Sequence, residues 1–272
     1  MALPLAAIRV GVAGVAALLA LSVVPTTASA TVRQSRGDCS DVLVLGARGS
    51  GQPQAGSAKD GGTGLGAEVA NVAQRIQADL PGKTVTARAL HYPARQAELL
   101  VLDAASYFSG LERGVTNAKK SLASQVKSCP GQRIILAGYS QGAMVMHRVV
   151  QDLSASSDAT SRKILNHIDG AVLLADGDRI SSDHMTSLGS AGAGRGISYA
   201  SPQDSRVRGT KLPARLASRV ISVCEQADVI CDYHSLLQSN GNGVDGTTVH
   251  VTSYTASPDA LRAADAVAAR VR

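Results

Sequence analysis

Arg133-Ile134-Ile135-Leu136-Ala137-Gly138-Tyr139-Ser140-Gln141-Gly142-Ala143 is the stretch on which the reading of this chain turns. Arg133 to Gly138 is a short apolar run of strand length. From Ala143 to Leu153 the apolar residues continue at a spacing that fits a helix. Between them stands Gly138-Tyr139-Ser140-Gln141-Gly142, a G-x-S-x-G pentapeptide in a strand-to-helix context. A serine on such a sharp turn projects its hydroxyl above the sheet, and glycines two residues to either side relieve the crowding. The helix that follows offers N–H groups to a developing oxyanion. Ser140 is therefore the candidate nucleophile.

Upstream, Asp41 to Ala47 reads as another buried parallel strand, followed by a Gly-, Ser- and Gln-rich loop from Arg48 to Gly62. Leu65, Val69, Val72, Ile76 and Leu80 recur at helical spacing until Pro81-Gly82 stops them. Thr84 to Leu90 alternates like a strand, and Val115, Ala118, Leu122 and Val126 mark a helix closed by Cys129-Pro130-Gly131. Downstream come strands at Ala171–Ala175 and Arg219–Val223. The last helix spans Asp259 to Val271, with Ser257 as N-cap and Pro258 in its first position. Strands alternating with helices predict a doubly wound α/β fold, a mainly parallel sheet flanked by helices on both faces. Ser181 to Arg215 is the one long stretch without a pattern, a flap beside a site or a plain surface excursion.

Residues 1–30 read as a secretory signal peptide: Arg9, an apolar run from Val10 to Val24, then Ala28-Ser29-Ala30 as the cleavage pattern. Residues 31–272 remain, enough for a single α/β domain, expected to be a monomer outside the cell. No second long apolar segment predicts a membrane span. The net charge of +6 falls to about +5 without the leader. It is spread along the chain, and aromatics make up only 3% with no Trp. Nucleic-acid binding, which would use a basic block with interleaved aromatics, is not expected.

Cys39, Cys129, Cys224 and Cys231 all lie in the exported part, an even set that predicts two disulfides. Cys224 and Cys231 flank a short loop and are the natural local pair, which leaves Cys39 with Cys129. Loop entropy alone gives about 2.5 kcal/mol for the short bridge and about 4.5 for the long one. The spacings do not suit a metal site, and no metal or organic cofactor is expected.

A serine nucleophile needs a base, and the chain order of this fold places it late, at His234 or His250. His250 is favoured, because it follows a Gly/Asn-rich loop and precedes the last helix; His91 and His184 read as surface residues. The orienting acid has three candidates. Asp228 lies inside the Cys224–Cys231 loop, which a disulfide would hold rigid, while Asp176 and Asp178 follow a strand end. Gly61-Gly62-Thr63-Gly64-Leu65-Gly66 follows a loop rather than a strand, so it reads as a helix entry and not a nucleotide fingerprint. Gly192, Gly194 and Gly196 read as loop residues, and Met144 and Met146 as core filler.

Four segments in order resemble the cutinase family of α/β-hydrolases, in its actinobacterial, cell-envelope-associated branch. Cys39-Ser40-Asp41-Val42 through Ala47-Arg48-Gly49-Ser50 is similar to the family's opening strand and oxyanion loop. Cys129-Pro130-Gly131 through Ala143 resembles its nucleophile segment. Cys224 to Cys231 resembles the motif in which an Asp sits between bonded cysteines, and His250-Val251-Thr252-Ser253-Tyr254 the base-bearing segment, with one extra residue before Tyr254. Where the family has a Gly-Asp-Pro-like turn, this chain reads Ala175-Asp176-Gly177-Asp178. The resemblance implies a triad of Ser140, Asp228 and His250, and an oxyanion hole from Ser50 and the N–H of Gln141. It also implies hydrolysis of carboxylic esters (lipid, polyester or acylated polysaccharide) by a secreted protein that can associate with the envelope. An acyltransferase and a non-catalytic envelope-binding protein on the same fold are the competing functions.

Overall fold

The computed structural model describes residues 39–57, 62–180, 183–201, 204, 211–233, 245–255 and 257–271. The expected leader, the rival base His234 and Gly61 lie outside the described residues. Six strands form one sheet: β1 (Val42–Ala47), β2 (Val85–Ala89), β3 (Arg133–Tyr139), β4 (Ile168–Leu174), β5 (Thr186–Leu188) and β6 (Val220–Val223). Their order is β2-β1-β3-β4-β6-β5, and every pairing is parallel. A parallel sheet must be covered on both faces, which is why β1 and β6 are buried at every position.

Eight helices complete the described fold: α1 (Ala67–Asp79), α2 (Leu99–Leu102), α3 (Ala104–Ser128), α4 (Gln141–Ala155), α5 (Ala159–His167), α6 (Ala214–Ala217), α7 (Gly246–Thr252) and α8 (Pro258–Ala268). The period of two along β1 separates two cores. Leu43, Leu45 and Ala47 face α3, α4 and α5, whereas Val42 and Val44 face α1 and α8. Met144 and Met146 are fully buried in the first of these cores.

Several elements run further than their sequence patterns. Helix α3 begins at Ala104, capped by Asp103, whose carboxylate accepts from Ser106 N at 3.1 Å. Its glycines serve packing. A Cβ on Gly114 would stand 2.8 Å from Val145 Cγ2 and 2.9 Å from Tyr92 Cδ2. Helix α5 has no counterpart in the sequence reading; Asp158 caps it by accepting from Ser161 N at 2.9 Å. The stretch from Ser181 to Arg215, read as irregular, carries edge strand β5, a single 3-10 turn at Ile197–Ala200, and the start of α6. At the other end, Ser257 caps α8 through Ala260 N at 3.3 Å with Pro258 at its start, and the helix ends at Ala268 rather than Val271. Disulfides join Cys39 to Cys129 and Cys224 to Cys231.

The order of strands reverses between β1 and β3, since the chain leaves β1 for β2 on one side and continues from β3 toward β4 on the other. In open α/β sheets the crevice at the carboxyl ends of two such strands is the place for ligands. Ser50 follows β1 and Ser140 follows β3.

Candidate active site

The turn after β3 is strained and tightly packed. Ser140 has φ 54° and ψ −121°, a left-handed φ that a residue with a side chain rarely adopts. Its backbone N–H donates to Leu174 O at 2.9 Å, and its carbonyl accepts from Ala143 N and Met144 N to open α4. A Cβ on Gly142 would lie 2.1 Å from Ala47 O and 2.5 Å from Arg48 O, and one on Gly138 would lie 2.4 Å from Gly142 O. All three obstacles are backbone atoms, so only glycine allows β1, β3 and α4 to meet here.

The hydroxyl so presented lies 3.0 Å from His250 Nε2. His250 Nδ1 stands 2.9 Å and 3.1 Å from the two carboxylate oxygens of Asp228. Asp228 is fully buried, and its charge is met by donors on every side. Oδ1 accepts from Ile230 N at 2.6 Å and Cys231 N at 3.1 Å, and Oδ2 accepts from the Tyr254 hydroxyl at 2.7 Å. The Cys224–Cys231 loop that bears it is cinched again where Ala227 N, at a left-handed φ of 66°, donates to Asp232 Oδ2 at 2.8 Å.

His250 sits on α7, a helix that the sequence reading did not anticipate. Asp245 caps that helix through Thr247 N at 3.0 Å. The Tyr139 hydroxyl donates to His250 O at 2.8 Å, and the two rings stack with centroids 5.2 Å apart and 18° between planes. Tyr254 approaches the imidazole edge-on at 6.3 Å. Tyr139, which fills the first x of G-x-S-x-G, and Tyr254 both have positioning contacts that the linear pattern left unassigned.

The loop after β1 is fixed from both ends. Arg48 Nε donates to Gln52 O at 2.7 Å and Arg48 Nη2 to Tyr92 O at 3.0 Å, while Gly49 N donates to Gln52 Oε1 at 2.7 Å. Ser50 Oγ lies 3.4 Å from the Tyr107 hydroxyl. Burial pushes the Tyr107 phenol up to about 12, so it stays a neutral hydroxyl beside Ser50 through physiological pH. Gln141, fully buried, is the first residue of α4, where backbone N–H groups have no acceptor within the helix. Ser50, Ser140 and His250 line one cavity of about 450 Å³. Its walls are largely apolar, with Leu100, Val101, Ile197, Val229, Ile230 and Val251 among them, and Val101 and Val251 project into solvent at its mouth.

Asp176 and Asp178, the alternative acids, are engaged elsewhere. Asp176 Oδ2 lies 2.6 Å from His147 Nδ1, both side chains essentially buried. Asp178 takes Arg148 Nε and Nη2 in a fork at 2.6 Å and 2.8 Å, Asp204 accepts from Nη2 and Nη1, and Glu112 accepts from Nη1. Burial opposes the His147 cation, but the charges of Asp176, Asp178 and Asp183 outweigh it and hold the imidazole above its ordinary value. This cluster pins the turn after β4 to α4. Ser198 N donates to Gly177 O at 3.1 Å and Ile197 N to Ile230 O at 2.8 Å, so the same turn supports a wall of the cavity. His91 and His184 are exposed. Among the described residues no group of three or more His, Cys, Asp or Glu is arranged to hold a metal ion.

A family model described as Cutinase matches residues 38–269. Cutinase cut1 of Trichoderma harzianum is 31% identical over 121 residues, 44% of this chain and 42% of that protein. Carboxylesterase Culp1 of Mycobacterium tuberculosis (strain ATCC 25618 / H37Rv) is 28% identical over 163 residues, 60% of this chain and 64% of that protein. The matched stretches thus span less than two thirds of these curated relatives. A solved cutinase-like protein from Cryptococcus sp. superposes with a TM-score of 0.61 at 21% identity, over 85% of this chain and 95% of that one.

Proposed function

The chain belongs to the cutinase family, and from that premise we propose that it is a secreted serine esterase that hydrolyses carboxylic esters through an acyl-enzyme. One observation carries the reading: Ser140 Oγ stands 3.0 Å from His250 Nε2 while Nδ1 of the same ring faces the buried Asp228. With Nδ1 protonated and bound to the carboxylate, Nε2 carries the lone pair and is the base for the serine proton. The alkoxide attacks the ester carbonyl, and the imidazolium that forms is stabilised by Asp228. The oxyanion is received by the N–H of Gln141 and by Ser50, which the Gln52 and Tyr107 contacts hold in place. The protonated ring then delivers its proton to the departing alcohol. Water activated by the same Nε2 cleaves the acyl-enzyme and restores the serine.

The apolar walls suit the acyl chain of a lipid or polyester, and the exposed Val101 and Val251 suit contact with such a surface. Export is supported by the signal-like residues 1–30 and by two disulfides that need an oxidising compartment. No described helix is long and apolar enough to cross a membrane. Envelope association and a monomeric state complete the proposal. The test is turnover of a short nitrophenyl ester with labelling of Ser140 by an organophosphonate. Ser140→Ala should abolish both, with a rate loss of at least about 10⁴-fold. Turnover that survives this substitution would refute the assignment.

A further inference from the structure

The cavity has one charged wall. Among its described lining residues Glu68 is the single carboxylate, and none is Lys or Arg. Glu68 lies in the first turn of α1 and is 6% exposed. A helix start favours negative charge there. Two donors also meet the group: Gln52 Nε2 gives Oε2 a hydrogen bond at 2.8 Å, and Thr255 Oγ1 gives one to Oε1 at 3.2 Å. Each carboxylate oxygen can accept more than one bond, so acceptor capacity remains on this cavity-lining group. The field of Glu68 reaches Tyr139, whose ring stacks on His250. After burial, it is the largest influence that pushes the neighbouring Tyr139 phenol upward.

We propose that Glu68 sets the charge selectivity of this cavity, admitting neutral and cationic esters and disfavouring esters whose acyl or alcohol part carries a negative charge. A fixed carboxylate repels a second anion brought into a narrow, mostly apolar cleft, where the effective dielectric is well below that of water. The same carboxylate offers hydrogen-bond acceptors to hydroxyl-bearing alcohols. The substrate class is then esters whose alcohol is neutral, hydroxylated or cationic and whose acyl group carries no negative charge. The inference rests on the esterase reading and adds to it a residue outside the triad and oxyanion loop.

The test compares three nitrophenyl esters of similar length: a butyrate, a hemisuccinate and a trimethylammonium-bearing acyl ester. Glu68→Gln keeps the shape and an oxygen for Gln52 while removing the charge. It should raise the ratio of kcat/KM for the hemisuccinate over the butyrate by about tenfold, mainly through KM, and lower the cationic ester's ratio. If both esters change by one common factor, Glu68 only braces Gln52 and the proposal is overturned. Salt gives a second reading on the wild-type protein, independent of whether the variant folds. Repulsion by Glu68 predicts that the hemisuccinate ratio rises as salt screens it. The net positive charge, about +5 without the leader, predicts the opposite slope, so a falling or flat ratio also overturns the proposal. Wild-type protein that turns over no ester and takes no phosphonate label refutes the hydrolytic reading, and this inference falls with it. Turnover with unmoved ratios refutes the inference alone.

Discussion

Replacing Tyr254 by Phe separates the support of the acid from the acid itself. Tyr254 is 1% exposed, and its hydroxyl serves two partners: it donates to the buried Asp228 Oδ2 at 2.7 Å and accepts from the half-buried Glu225 N at 2.9 Å. Deleting it removes a hydrogen bond to a charged group, worth about 1.5–3 kcal/mol, and leaves the Glu225 N–H without that acceptor. The ring remains, so no large cavity opens. A loss of about 2–4 kcal/mol follows, or a fall in Tm of roughly 5–12 °C for a domain of this size. Asp228 would still hold Ile230 N, Cys231 N and His250 Nδ1. The imidazole therefore keeps its tautomer and loses only precision, and kcat should fall by about tenfold, equivalent to 1.4 kcal/mol. Asp228→Asn, which offers the wrong partner to Nδ1–H, should cost about 10⁴-fold instead. Urea unfolding under non-reducing conditions and nitrophenyl ester kinetics on the same preparations give both numbers. Wild-type stability in Tyr254→Phe would refute the buried double bond. A kcat as low as that of Asp228→Asn would show that Tyr254 alone orients the acid.

The two disulfides should separate in their effects. Opening Cys39–Cys129 with paired serines removes the larger loop constraint, about 4.5 kcal/mol, and leaves kcat near wild type at temperatures where the variant is folded. Opening Cys224–Cys231 removes only about 2.5 kcal/mol but loosens the loop that holds Asp228, so kcat drops more than stability does; equal kcat in both variants would contradict this. A third outcome concerns pH. Because His147 titrates above its ordinary value in the folded protein, its protonated contribution is complete below the unfolded value near 6.5 and is lost as pH rises through the raised one. His147→Gln should therefore be less stable than wild type at pH 6, with the gap narrowing toward pH 9. Urea midpoints at the two pH values check it, and a gap that widens with pH would mean that the buried imidazole is neutral.

Much of the architecture was legible where local pattern and tertiary role agree. Residues 133–153 carry a strand run, a G-x-S-x-G turn and a helical repeat in immediate succession, and each is required by sterics visible in one dimension. The first half of α3 was not legible, because Ser106, Gly110 and Gly114 interrupt the helical periodicity. Their reason is three-dimensional: Gly114 admits Tyr92 and Val145, and Gly110 lies against Arg95. The helix under His250 was hidden by its composition, since Thr247, Thr248, Val249, Val251 and Thr252 are β-branched and weaken helical preference. It is held by the Asp245 cap and by Tyr139, neither of which periodicity reports. Among the acids, Asp176 and Asp178 rivalled Asp228 because they follow a strand end, while Asp228 lies in the Cys224–Cys231 loop. What distinguishes them is the partner, and His147 reaches Asp176 from α4 across a buried contact that spacing does not encode.

The parallel sheet explains which parts of the site need reinforcement. Ser50, Ser140 and Asp228 follow β1, β3 and β6, so three of the groups inherit their positions from strands that end at one edge. His250 has no strand of its own. It arrives on a seven-residue helix, too short to be stable by itself. Side chains compensate: Tyr139 stacks on the ring and bonds its carbonyl, Asp228 takes Nδ1, and Tyr254 braces both Asp228 and the ring edge. Anchored this way, His250 does not depend on the length of chain that delivers it. Loop-closure entropy grows slowly, by about 0.6 kcal/mol for each doubling, so a long connection from Asp228 to His250 costs little. The site's geometry is then set by contacts at the sheet edge, and the spacing between Asp228 and His250 is free to differ without moving either.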